Sequence, residues 1–196
     1  MVCNDLNALI DRVIEERGIN ENDMLIRVGM DGGGGFMKMC VSIFELNSNN
    51  QSKKSGYGKR LGERFKDSGV KKLMVIAIVP DVQENYVNVK RLWMESGIDR
   101  LDRKFTIATD LKLCNVLLGL MSHSSCHPCC WCDIMKDDLS KNGVLRTIKS
   151  LMDLFWSYFE AGVDRDAAKD YGNVIHPAIF ASGHGSCRIP PCGRVL

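Results

Sequence analysis

Arg27-Val-Gly-Met-Asp-Gly-Gly-Gly-Gly-Phe-Met-Lys-Met-Cys-Val-Ser-Ile-Phe-Glu45, RVGMDGGGGFMKMCVSIFE, sets one acidic residue and four glycines between two apolar runs. The flanks, Met24–Met30 and Phe36–Leu46, are rich in Val, Ile, Phe and Met, and Asp31 with the glycines separates them. That pattern predicts two strands joined as a hairpin. Asp31 then stands where the first strand ends.

Working outward, Leu6, Leu9, Ile10, Val13 and Ile14 recur at helical spacing before Gly18, which predicts an amphipathic helix over 5–17. Polar NSNNQSKKSGYGKR follows the hairpin as a loop. The continuous apolar run in KKLMVIAIVPDV reads as a central strand buried on both faces. A helix is expected over Asn85–Ser96, then a strand in KFTIATD and a helix opening just after Asp110. Beyond a cysteine cluster, an amphipathic helix is expected over 144–160, with a shorter one in DRDAAKDYGNV. This order describes an α/β fold, an antiparallel hairpin leading into a parallel crossover. The expected division is an N-terminal helix (1–22), a core (23–122), a Cys/His-rich and helical insertion (123–180) and an irregular tail (181–196).

The composition of the 196 residues, 45% hydrophobic and 26% charged, is that of a globular chain. A net charge of +2 excludes a globally polycationic nucleic-acid binder, so any such role must rest on local charge. No apolar run reaches the ~18 residues that span a membrane. The acidic start lacks the character of a targeting peptide, and the chain reads as intracellular, nuclear or cytoplasmic. Nine cysteines, four of them within Cys126–Cys132, suit reduced thiols or metal better than a disulfide framework.

Asp31 and Asp110 each close a predicted strand. If those strands are parallel neighbours, both carboxylates emerge at one sheet edge, where oxygen ligands suit Mg2+ or Mn2+ and two-metal phosphoryl transfer. Taken singly, Asp31 also fits an Asp-Gly turn and Asp110 a helix N-cap. Between Lys53 and Lys72 lie eight basic residues, Lys53, Lys54, Lys59, Arg60 and Arg64 among them, against Glu63 and Asp67. Such a segment suits phosphate contacts as well as a solvated face. His123, Cys126, His127, Cys129, Cys130 and Cys132 fall within ten residues, and Cys129-x-x-Cys132 has zinc-knuckle spacing.

The stretches VGMDGGGGFMKMCVSI, MVIAIVPDVQENYVNVKRLW and FTIATDLKLCNVLLGLMSHSSCHPCCWCD, over roughly residues 25–180, resemble the RNase H-like catalytic core of the DDE transposases and integrases. More distantly they are similar to the recombination-activating recombinase. The resemblance implies an RNase H-like mixed sheet with a Cys/His zinc-type insertion and C-terminal helices. It makes Asp31 and Asp110 the first two catalytic, magnesium-binding carboxylates, and Cys129 and Cys132 zinc ligands. A downstream histidine pair would complete the zinc site, for which His176 and His184 are candidates beside Cys187 and Cys192. DNA is the implied partner, and the glycines beside Asp31 would admit a phosphate. The family's third carboxylate has no counterpart after Asp170, so the chain reads as an incomplete catalytic core, inactive or weakly active, and either marginally stable alone or covered by a protein partner. Two rival readings remain open. One is a non-catalytic zinc-containing interaction module; the other is a sugar-kinase-like phosphate loop in GMDGGGG, against which Gly-x-Gly-x-x-Gly and Gly-Lys-Thr/Ser are missing.

Overall fold

The glycine run makes a hairpin. Strands β1 (Met24–Gly33) and β2 (Phe36–Leu46) pair antiparallel from Met24↔Glu45 to Gly33↔Phe36. Gly34 and Gly35 are left as a two-residue turn at φ +59° and +79°. Positive φ at both central positions is what the tight hairpin turn requires, and side chains with a Cβ avoid it. The turn lies beyond Asp31, which sits in the strand opposite Lys38, so the Asp-Gly turn reading of Asp31 is overturned.

The computed structural model describes residues 2–46, 65–66 and 72–182. Before the hairpin comes α1 (Leu6–Arg17), with the Asp5 carboxylate accepting the Ala8 amide at its N-terminus. After it come β3 (Phe65–Lys66), β4 (Met74–Pro80), α2 (Tyr86–Glu95), β5 (Phe105–Ala108), α3 (Leu111–Leu117) and α4 (Ile148–Glu160). The sheet is mixed. β3 and β4 pair antiparallel with β2, β2 with β1, and β1 lies parallel to β5.

One face of the sheet carries Ile26, Val28 and Met30 of β1 and Met37, Met39, Val41 and Ile43 of β2, all buried. The same apolar cluster takes in Leu6, Ile10, Val13 and Ile14 of α1, Val89, Leu92 and Trp93 of α2, and Leu113 and Leu117 of α3. Removing this surface from water is the main force holding the layers together. The cluster reaches from Leu6 to Phe180, so the stretches 1–22, 23–122 and 123–180 share a core. On the opposite face Arg27, Asp31, Lys38, Thr106 and Ala108 are exposed, while Phe44 is buried with the Arg27 guanidinium 5.0 Å from its ring centre.

Two expectations are corrected. Among the described residues β4 is not a central strand: its long partner there is β2, its other side meets an isolated bridge from Val2 to Ala77, and Val75 is 49% exposed. Its apolar run fits a bulged strand, with a register shift at Met39/Cys40, more than burial on both faces. The helix expected over 144–160 starts at Ile148. Residues before it pair with the cysteine segment, Asp133 N donating to Val144 O (3.0 Å) and Arg146 N to Trp131 O (2.7 Å). Only then does Thr147 open the helix with a capping box to Ser150.

Among the described residues, no helix is long and apolar enough to cross a membrane. The tail beyond 182 and the basic residues Lys53, Lys54, Lys59, Arg60 and Arg64 lie outside the described residues.

Candidate functional site

The parallel pairing of β1 with β5 runs Ile26↔Phe105, Arg27↔Thr106, Val28↔Ile107 and Gly29↔Ala108, a constant offset. Carried two residues further, that offset sets Asp31 level with Asp110. Side chains alternate along a strand, so residues at matched positions of parallel neighbours share a face. Arg27 and Asp31, like Thr106, Ala108 and Asp110, are exposed, in keeping with one solvent-facing row.

Asp110 has a second task. It is the N-cap of α3, Oδ1 accepting the Leu113 amide at 2.7 Å. The cap satisfies one of the orphan donors of the first turn. The N-cap reading is thus realised in the structure, and a carboxylate held this way has a fixed orientation at the strand end.

Sequence reasoning missed Glu84. It lies between β4 and α2, and its Oε2 approaches the Gly32 backbone so closely that a Cβ on Gly32 would stand 2.8 Å away. Gly32 is therefore filled by a protein carboxylate rather than left clear for a phosphate. The Glu84 side chain is only 11% exposed; Oε2 pairs with Lys112 Nζ at 2.7 Å, and Oε1 is buried without a partner. Glu84 and Asp110 both raise the Lys112 ammonium's pKa, Glu84 more strongly. A third acid thus comes to the strand end that carries Asp31 and Asp110. No periodicity marks Glu84 in the sequence; the signal available was a strand glycine with no turn to explain it.

The cysteine segment meets α3 through Cys130 and Cys114. No disulfide joins any of the described cysteines. Cys130 is buried and hydrogen-bonds Cys114 of α3, which raises the Cys130 thiol's pKa and lowers that of Cys114. Arg146 is buried among them, Nε donating to Cys132 O and Nη2 to Gly172 O, both at 2.9 Å, with Nη1 unpartnered. Burial lowers the pKa of its guanidinium, while Asp133 and the thiols of Cys129, Cys132 and Cys130 act to raise it. His127 bridges the carbonyls of Asp133 and Lys169 at 2.6 and 3.1 Å. His176 stacks on Tyr86 at 4.1 Å, and burial and Lys90 lower its pKa.

Among the described residues, no three His, Cys, Asp or Glu side chains are gathered closely enough to hold a metal ion. Cys129 and Cys132 lie in one segment, and His176 does not join them in such a set. His184, Cys187 and Cys192 lie outside the described residues. No protein-family model matches the chain, and no curated protein matches it.

Proposed function

We propose that this chain is an RNase H-like, DDE-type protein in which Asp31 and Asp110 hold Mg2+ or Mn2+ for phosphoryl transfer on DNA. The observation that supports the reading is the β1–β5 register, whose offset, carried two residues past its last pair Gly29↔Ala108, brings Asp31 and Asp110 level. The hairpin, the antiparallel β4 and the parallel β5 are in the order the resemblance implies. Glu84 adds support, because a buried carboxylate oxygen without a partner at the same edge is an incompletely satisfied acceptor that a cation would complete. Such ions would stabilise charge on the attacking and leaving oxygens of an in-line displacement. Asp31 and Asp110 would orient the ions, and Lys53, Lys54, Lys59, Arg60 and Arg64 would supply sequence-indifferent contacts to phosphate.

In the same reading Cys129 and Cys132 are half of a zinc site, completed from residues such as His184. The supporting observation is Arg146, a buried guanidinium with an unpartnered nitrogen beside the thiols. Thiols that bind zinc do so as thiolates, and their negative charge would stabilise that cation. A second reading, a zinc-containing DNA-binding module without catalysis, is favoured by the commitment of Asp110 to capping α3.

Nicking of supercoiled DNA separates the two. The first reading expects cleavage that needs Mg2+ or Mn2+ and is lost in both Asp31→Asn and Asp110→Asn. Cleavage surviving in both variants refutes the site, and DNA binding without cleavage in the intact chain supports the module.

A further inference from the structure

Among the described cysteines, Cys114 and Cys130 meet thiol to thiol across two elements. Cys114 lies in the middle of α3 and Cys130 in the cysteine segment, and the two hydrogen-bond each other. Cys114 is half-buried, whereas Cys130 is 2% exposed and belongs to the apolar core. Other described thiols have other neighbours: Sγ of Cys40 donates to the Gly29 carbonyl at 3.6 Å, and Sγ of Cys129 accepts the Trp131 amide at 3.4 Å. Both members of the pair are held through the backbone. The Cys114 amide donates to Asp110 O at 2.9 Å, and beside Cys130 the Trp131 carbonyl accepts from Arg146 N at 2.7 Å. Two thiols fixed in contact need only a small motion to be joined, which is the geometric condition for a disulfide.

Their unequal exposure gives them different tasks. An oxidant arriving from solvent reaches Cys114, while Cys130 meets what Cys114 presents to it. We propose that Cys114 and Cys130 are a redox-active pair: a hydroperoxide oxidises Cys114, and Cys130 resolves the product to a disulfide that clamps the cysteine segment to α3.

The Cys114 sulfur, as its thiolate, attacks one oxygen of hydrogen peroxide; the O–O bond breaks, hydroxide leaves and takes up the thiol's proton as water, and Cys114 becomes a sulfenic acid. Cys130 then gives up its proton and attacks the Cys114 sulfur, the S–O bond breaks, and the hydroxyl leaves with that proton as a second water. Two thiols are oxidised to one disulfide, and one peroxide is reduced to two waters. The bond closes a loop of roughly 15 residues and ties the cysteine segment to the helix that Asp110 caps. Cys129 and Cys132 take no part in it.

The test is fragment mapping of the full, reduced chain after brief exposure to one equivalent of hydrogen peroxide, with the remaining thiols blocked by N-ethylmaleimide. Cyanogen bromide cleavage at Met121 separates the two cysteines. The expected product is two fragments joined through Cys114 and Cys130 and parted again by dithiothreitol. The link should persist in Cys129→Ser and Cys132→Ser and vanish in Cys114→Ala. In Cys130→Ala, Cys114 should stop at the sulfenic acid and be trapped by dimedone. Closing the disulfide should raise the melting temperature of the parent chain by about 5–10 °C, and dithiothreitol should reverse the gain. A link formed mainly between other cysteines, or a peroxide-treated parent in which Cys114 and Cys130 are both still blocked by N-ethylmaleimide, would overturn the pairing, and neither result needs a variant to fold. Dimedone on Cys130 in place of Cys114 would overturn the order of attack, and an unchanged or lower melting temperature would overturn the clamp.

Discussion

Replacing Gly119 by alanine should be among the most damaging single changes in the chain. Gly119 follows α3 at φ +73°, a left-handed conformation that costs a residue with a Cβ about 1–2 kcal/mol. A methyl there would overlap the His176 carbonyl oxygen and lie 2.7 Å from its carbon. That carbonyl is backbone and cannot swing aside as a flexible side chain would. Making room separates Gly119 O from the amides of Ile175 and His176, which it accepts at 2.9 and 3.0 Å. Gly119 is buried, so leaving these groups unsatisfied costs about 1–3 kcal/mol each. The sum is roughly 3–8 kcal/mol, a large part of the ~5–15 kcal/mol that stabilises a typical domain. With a urea m value of about 2 kcal/mol/M, the midpoint should fall by roughly 1.5–4 M. Gly33→Ala is the control, since nothing lies within 4 Å of its added methyl, and it should change stability by less than about 1 kcal/mol. A Gly119→Ala protein within 1 kcal/mol of the parent would refute the reasoning.

Asp110→Ala should lose about 1 kcal/mol with the α3 cap, whereas Asp110→Asn should keep nearly all of it, because asparagine caps as well; equal melts for the two variants would contradict the capping role. His176 has a folded pKa depressed below its unfolded value of 6.5, first by burial and then by Lys90. The unfolded chain therefore binds the extra proton first, so stability is complete above about pH 6.5 and declines as pH falls below it. His176→Phe, which keeps a ring against Tyr86, should flatten the fall in melting temperature between pH 7 and 5. Arg146→Met strands two carbonyls that accept from the guanidinium, and should destabilise by about 2–4 kcal/mol in a thermal melt. Elemental analysis should find zinc in the reduced protein and less in Cys129→Ser and Cys132→Ser.

What the sequence made legible depends on how local the cause was. The hairpin follows from four consecutive glycines, and α1 and α2 follow from apolar spacing between capping residues, Asp5 and Asn85. Bringing Asp31 and Asp110 towards one sheet edge needed one assumption, that β1 and β5 are parallel neighbours, and the two strands do pair in parallel from Ile26↔Phe105 to Gly29↔Ala108. The β4 run misled because an apolar stretch does not say which of its sides is covered. The start of α4 was hidden because Val144–Arg146 looks periodic while its backbone pairs with 131–133. Glu84 was out of reach because its contact with Gly32 joins residues far apart in sequence and leaves no periodicity around Glu84 itself.

The central claim is that Asp31 and Asp110 share a divalent cation. Iron bound in place of magnesium, driven with ascorbate and peroxide, cuts the backbone beside itself, and the cut sites can be read by mass spectrometry. The account predicts two clusters of cuts, around residues 31 and 110, both suppressed by excess Mg2+ and lost in Asp31→Asn. Cutting confined to the cysteine segment, or cutting near only one of the two aspartates, would contradict it.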